Sequence, residues 1–420
     1  MHMRLCSLGA LAIAFFLIAT LSCGKDESTN HADEIKERLE KLRSVPYTAV
    51  TSELAQEQLA GVTFFDRDRA WPGYNLYCSR IEPEAFLFDM DGNIVNRWFY
   101  EQERFRFWNY AILFANGDLV VLNKFLYIFK IDWNSNLVWE HPIPVHHDVT
   151  LADDGTLYVI ELDTEKYRDL IVRFSRIVHL TAEGELIDSW STYDRLDHIK
   201  QTLDTRSFLD TVLDSMFAHG ISPDTVSSVD GRIDKAKVST NKEIFDYFHI
   251  NTVSVLPDTP LGRKDPRFAA GHFLICLRNV NQIAVLDWDS GDILWSWGEG
   301  ELEWPHHPTM LESGNILLFD NGVLQGRSRV VEINPLTLEI EWDYVGDPPE
   351  SFYSRTRGSA QRLPNGNTLI CESNEGRAFE VTAEGEVVWE WYNPLLEDGR
   401  RVQVYRVLRY PPEMVEPLLK

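Results

Sequence analysis

The 420-residue chain is 44% apolar and carries 13 Trp, 15 Tyr and 22 Phe, enough to bury a large core and too aromatic for extended disorder. With 40 Lys and Arg against 65 Asp and Glu, its formal net charge is −25, which repels a nucleic-acid partner, and no basic stripe offsets that repulsion. A small anionic substrate is compatible with that charge, because a few Arg and His residues in a cleft reverse the local potential.

Arg4 and the apolar run from Leu8 to Leu21, ending at Ser22-Cys23-Gly24, have the pattern of a secretory signal. The run falls short of the ~20 apolar residues that a spanning helix needs. Thr20-Leu21-Ser22-Cys23 resembles a bacterial lipobox, with Thr20 where that pattern prefers Leu. Residues 1–23 are therefore read as a signal peptide of lipoprotein type with Cys23 as the lipid attachment site. The expected product is an exported bacterial lipoprotein, periplasmic or at the cell surface, held to the membrane by its N-terminal lipid. Ordinary cleavage nearby and an uncleaved anchor are the alternatives. Residues 24–60 read as a charged linker, with a low-complexity stretch at Lys25–Asn30 and a short helix over Asp33–Leu42.

From Gly61 to the C-terminus one phrase recurs: a strand, a tight turn and a second strand ending in Trp. It reaches Trp98, Trp139, Trp190, Trp295, Trp342 and Trp389, which are 41, 51, 105, 47 and 47 positions apart. One long gap aside, that is the period of a four-stranded propeller blade, about 40–50 residues. A second hairpin lies upstream of most Trp phrases, at Asn116-Gly117, Asp154-Gly155, Ser313-Gly314 and Asn365-Gly366, where Asn-Gly and Asp-Gly supply the positive φ of short turns. Two hairpins per period give four antiparallel strands, so the expected fold of residues 61–420 is an all-β, six-bladed β-propeller.

The first blade lacks an innermost strand of its own, and Val402–Leu408 is expected to supply it and close the ring. Gly61–Asp66 is expected at a blade edge. The long gap predicts a helical insertion over residues 194–245 between blades three and four, with helical phrases at Ile199–Leu203 and Phe208–Leu213. Cys78, Cys276 and Cys371 sit in similar strand phrases of different blades, too far apart to bridge, and read as buried structural thiols.

Histidines gather where blades begin. His146-His147-Asp148 opens blade three, His249-Ile250-Asn251 opens blade four and His306-His307 opens blade five. First strands line the central channel of a propeller, so these side chains are expected to converge, and Arg278, after the second strand of blade four, reaches the same rim. A lone buried histidine is more often a satisfied core residue; three at matching blade positions point to a site.

Pro72-Gly73-Tyr74-Asn75-Leu76, Phe88-Asp89-Met90-Asp91-Gly92, His249-Ile250-Asn251, His307 ahead of Phe319-Asp320-Asn321-Gly322, and Gly358-Ser359-Ala360-Gln361 through Asn367 together resemble the bacterial arylsulfate sulfotransferases. The resemblance runs from about Gly61 to the C-terminus. It implies a nucleotide-independent transfer of a sulfuryl group from an aryl sulfate ester to a phenolic acceptor through a sulfohistidine, with no cofactor. It maps the nucleophile to His307, supporting groups to His147, His249 and Asn251, and the arginine to Arg278. This chain departs in reading His306-His307-Pro308 where the family often has Gln-His followed by a small polar residue, and it is expected to lack the extra N-terminal β-domain of the best-known members.

Residue chemistry agrees: a neutral imidazole is a nucleophile near neutral pH, and fixed cations stabilise charge spread over peripheral oxygens. His147 is suited to protonate the leaving phenol and then deprotonate the acceptor. Three rivals stand beside this reading. His147, His249 and His307 could ligate a metal in a propeller hydrolase. Asp287-Trp288-Asp289-Ser290-Gly291 through Trp295 resembles a quinoprotein docking phrase, although no vicinal Cys pair accompanies it. A non-catalytic, surface-anchored binding propeller is the third.

Overall fold

A computed structural model describes residues 49–56, 59–100, 107–167, 170–203 and 244–420. The signal segment with Cys23, the linker at Lys25–Asn30 and the expected helices at Asp33–Leu42 and Phe208–Leu213 lie outside the described residues.

The described chain is all-β, with little helix. Among the described residues, six sheets are built on the same antiparallel four-strand arrangement, and a seventh, three-stranded sheet joins Val50–Leu54, Arg400–Val402 and Leu396–Glu397. Sheet 2 takes Tyr110–Leu113, Leu119–Asn123, Tyr127–Ile131 and Leu137–His141 in chain order. Sheet 3 (from Val145–Leu151 to Leu186–Ser191), sheet 4 (from Ile250–Val255 to Ile293–Trp297) and sheet 5 (from His306–Met310 to Ile340–Tyr344) repeat it. Sheet 6 runs from Ser359–Arg362 to Val387–Tyr392 and gains Gly61–Phe65 as a fifth, outer strand, the edge position expected of it.

Sheet 1 pairs Tyr74–Cys78, Glu84–Phe88 and Ile94–Phe99 with a strand from the far end of the chain. That strand is Leu408–Tyr410, bonded to Tyr74–Cys78, at the C-terminal limit of the expected Val402–Leu408. The shift has a reason: Arg400–Val402 pairs instead with Val50–Leu54, inside the stretch expected to be linker, and residues 403–407 are buried, with Tyr405 bonded to His147.

Second strands such as Leu119–Asn123 and Phe273–Leu277 are buried at every residue, whereas fourth strands such as Ile94–Phe99 expose most of theirs. Neighbouring sheets cover both faces of the inner strands, so alternation survives only at the rim. The repeated Trp residues explain how the sheets are joined. Trp98 donates its indole N–H to the carbonyl of Asp132, Trp139 to Ala182, Trp190 to Gly291, Trp342 to Ala383, and Trp389 to Met90. Each bond reaches the outer hairpin turn of the following sheet, and the last one runs from sheet 6 to sheet 1. A Trp that buries its ring and satisfies its one donor suits this joint.

The first strands of sheets 3, 4, 5 and 6 lie against one another in order. Tyr410 of sheet 1 accepts the Leu113 N–H of sheet 2 at 3.0 Å, and Gln361 of sheet 6 exchanges two bonds with the Arg409 backbone of sheet 1. Between sheets 3 and 4, helix α1 (Leu196–Thr202) buries Leu196 and Ile199. Cys78, Cys276 and Cys371 are free and buried, and burial pushes each thiol up.

Candidate active site

Three of the predicted residues stand at breaks in the first strands. His147, His249 and His307 have φ of 63°, 52° and 51°, a left-handed conformation that non-glycine residues seldom adopt. The ladder register shifts beside each, between Val145 and Val149, Ile250 and Thr252, and His306 and Thr309. These are β-bulges, which turn a side chain out of its regular direction. Pro308, with no N–H to offer a ladder, fits the break after His307. Such backbone costs about 1–3 kcal/mol per residue and persists where the surroundings over-determine it.

The His146, His147 and His249 rings lie together, while His307 packs against sheet 6 through Ala360. The His147 and His249 rings meet edge to face at 4.6 Å between centroids, and His146 lies 5.0 Å from His147. His249 donates Nδ1–H to Oδ2 of Asp246 at 2.6 Å. Its Nε2 is buried with no partner, as is Oδ1 of Asp246. Nδ1 of His147 lies 3.0 Å from the Tyr405 hydroxyl. His307 donates Nδ1–H to the carbonyl of Ala360 at 3.0 Å, which leaves the lone pair on Nε2.

Asn251 is fully buried and gives its amide N–H to the carbonyl of Pro305 at 2.8 Å, while its Oδ1 accepts the Thr252 hydroxyl. The Thr252 hydroxyl oxygen in turn accepts the His307 backbone N–H. Asn251 thus holds the His307 turn in place. Arg278 follows the second strand of sheet 4, buried, with its guanidinium against Asn279 and 5.0 Å over the Trp304 ring.

Burial dominates the protonation of this cluster. It pulls His249 down to about 4, with Arg278 acting in the same sense and Asp246 against it. His146 and His306 are lowered to about 3, again chiefly by burial. His147 and His307 lie well below the ordinary imidazole range, burial being helped by His249 and by Arg406 respectively. All five are neutral at pH 7. Burial opposes ionisation of Asp246, but His249, Arg173 and His146 together outweigh it and hold the carboxyl low. Asp148 accepts from Arg406 at 2.8 Å and from the Val253 backbone, tying sheets 3 and 4 to the C-terminal segment.

Tyr405, Asp246 and Arg406 lie outside the residues predicted from sequence. Tyr405 and Arg406 come from the segment expected to be a plain closing strand, and Asp246 from a two-residue strand beside sheet 3. Among the described residues, no three His, Cys, Asp or Glu are arranged to hold a metal ion. A separate outer cleft of about 680 Å³, lined by Trp297, Glu301 and residues 338–341, contains none of these groups.

Comparisons with known proteins bear on this arrangement. No curated protein matches the chain. Among solved structures, a Bacteroides caccae protein of unknown function is similar at 14% identity, covering 80% of this chain and 98% of that one, with a TM-score of 0.48. A streptogramin B lyase is similar at 12% identity, covering 86% and 97%, with a TM-score of 0.45. A β-propeller domain from Myceliophteria thermophila is similar at 10% identity, covering 86% and 99%, with a TM-score of 0.39. The sequence pattern of one family matches residues 113–393, which contain His147, His249, Asn251, Arg278 and His307. The chain belongs to the arylsulfotransferase (ASST) family.

Proposed function

We propose that this chain transfers a sulfuryl group from an aryl sulfate ester to a phenol, with Nε2 of His307 as the nucleophile. The observation that carries this reading is the Ala360 carbonyl bond, which fixes the Nδ1 proton of a neutral, buried imidazole and leaves Nε2 as a base. Nε2 attacks sulfur, an N–S bond forms, and the S–O bond to the aryl group breaks with its electron pair leaving on oxygen. The anionic donor favours a second proton on His147, which then donates Nδ1–H to the Tyr405 hydroxyl, gives its Nε2 proton to that oxygen and returns to the neutral imidazole. The acceptor phenol then loses its proton to His147 and attacks sulfur, and the N–S bond breaks. Two steps replace one difficult displacement.

Arg278 is the fixed cation for the sulfuryl oxygens. The arriving anion also favours protonation of His249, whose Nε2 has no protein partner and whose other nitrogen is backed by Asp246. We read the six sheets as blades of one closed propeller, the Trp389 to Met90 bond joining last to first. Residues 1–23 are read as an export signal ending at an acylated Cys23, 24–60 largely as a charged linker, and 194–245 as a helical insertion between sheets 3 and 4 of the chain.

The test is turnover of a fluorogenic aryl sulfate with and without added phenol, on wild type and His307→Ala, together with intact mass after a rapid quench. Phenol-stimulated turnover and one added SO3 group, both lost in the variant, support the reading. Hydrolysis indifferent to phenol, unchanged in His307→Ala and abolished by chelators would transfer the site to the metal-dependent alternative.

A further inference from the structure

The repeat carries more charge to this end of the sheets than sulfuryl transfer uses. Gly73, Gly117 and Gly271 each precede a second strand, and seven residues after each stands a cation: Arg80, Lys124 and Arg278. The same position of the repeat therefore delivers three cations, from sheets 1, 2 and 4, to one level of the structure. Sheet 6 adds Arg357, whose φ of 65° repeats the left-handed turn of the three histidines. Arg357 is buried and bonded through Nη1 to Gln403 at 2.6 Å.

These groups act on one another. Burial lowers Lys124 to about 7, and Arg357, Arg80 and Arg278 all push it the same way. Arg80 is only 7% exposed, and its bond to Asn109 Oδ1 at 3.2 Å leaves Nε with no partner. Asn109 is 1% exposed, and its Nδ2 also lacks an acceptor. Two adjacent, buried donors without acceptors, amid mutually repelling cations, form a site for an oxyanion. The buried carboxylates at this end are engaged elsewhere: Asp246 is bonded to His249, Asp148 to Arg406, Asp163 to Arg176, Asp320 to Arg329 and Glu372 to Arg377.

We propose that Arg80, Asn109, Lys124 and Arg357 form a second anion subsite, so that the preferred aryl sulfate carries a further oxyanion substituent on its ring. The inference rests on the sulfuryl-transfer reading of the neighbouring histidines. Sheets 1, 2 and 6 then hold the ring substituent, while sheets 3 to 5 hold the reacting group. Aromatic edges are at hand, since Arg80 lies 5.3 Å over Phe107 and Lys124 4.8 Å over Phe125.

The experiment compares the 3- and 4-carboxyphenyl sulfates with their methyl esters as donors. In wild type, kcat/KM is expected to favour at least one carboxylate by roughly tenfold to a hundredfold, the range of one or two charge-assisted bonds. Arg80→Gln and Arg357→Gln are expected to bring that ratio toward one, with folding checked by circular dichroism. His307-dependent turnover without preference for either carboxylate in wild type overturns the subsite and leaves the transfer reading standing. Absence of turnover with all four donors counts against the transfer reading; calorimetric binding of the carboxyphenyl sulfates then decides the subsite. Tighter binding than the esters, lost in Arg80→Gln, supports it, and equal binding sinks it.

Discussion

Two buried carboxylates in this molecule, one paired with an arginine and one bonded to a neutral histidine, serve different ends. At the seam between sheets 6 and 1, Arg409 and Glu380 are both fully buried and paired. Glu380 also accepts from the Trp71 backbone and from Asn367, while Arg409 donates to Asn75 and to the Trp71 carbonyl and stacks 4.6 Å from the Trp389 ring. Only Nη2 of that guanidinium is left over. At the site, His249 and Asp246 share a single bond, and both outer atoms, Nε2 and Oδ1, are buried without partners. The first network is nearly complete and holds two sheets together. The second is incomplete, in keeping with the proposal that the donor anion lies against it.

Acid should separate the two regions most. His146, His249 and His306 have folded values of about 3, 4 and 3, below the roughly 6.5 of an unfolded histidine. For bases lowered by folding, the unfolded chain binds more protons between those values. Their stability contribution is therefore complete above about pH 6.5 and falls as pH drops toward 4, by up to about 1.4 kcal/mol per pH unit for each histidine. Denaturant melts across that range should show a steep loss, and replacing His146 with Asn should flatten it. A flat profile would mean these imidazoles are already charged in the fold.

Replacing the nucleophile should cut activity without unfolding the chain. His307→Gly is expected to lower phenol-stimulated turnover at least about a thousandfold. Its melting temperature should hold, because glycine accepts the φ of 51° that histidine adopts with strain. The seam should respond in the reverse way. Glu380→Ala leaves Arg409 charged and buried, and is expected to cost about 3–5 kcal/mol in denaturant unfolding. An Arg409→Met, Glu380→Leu double variant should recover much of that loss. Retained activity per folded molecule in the seam variants would confirm that the two regions are separable.

Smaller effects should come from the residues behind the imidazoles. Asp246→Asn is expected to lower kcat/KM roughly tenfold to a hundredfold by withdrawing support from protonated His249. Donor binding in wild type should take up a proton, so its affinity should fall as pH rises from 5 to 8, and Asp246→Asn should weaken that dependence. Equal proton uptake in both proteins would remove His249 from that role.

Much of this was legible in the chain. The Trp period marks the fourth strand of each four-strand meander, and for five of the six Trp residues the indole N–H bonds the next sheet. His147, His249 and His307 stand out by their places at the start of first strands, and the His147 and His249 rings meet there. Arg80 and Lys124 were also readable, at the same distance from a glycine as Arg278, but they emerge only once that strand is aligned across sheets. Tyr405, Asp246 and Arg357 gave no such signal, since each reaches the cluster from a segment outside the regular repeat position.

The sequence by itself determined the repeated four-strand unit, because hydrophobic alternation, Gly turns and Trp joints are local and recur. Tertiary structure alone decided which polar groups are completed and which are left open. Local pattern records that His249, Asp246 and Arg80 are polar; only the packed sheets show that Nε2, Oδ1 and Nε are shut away from water without partners. The cost of that isolation depends on every neighbour at once, so it is a property of the assembled fold and of no single segment.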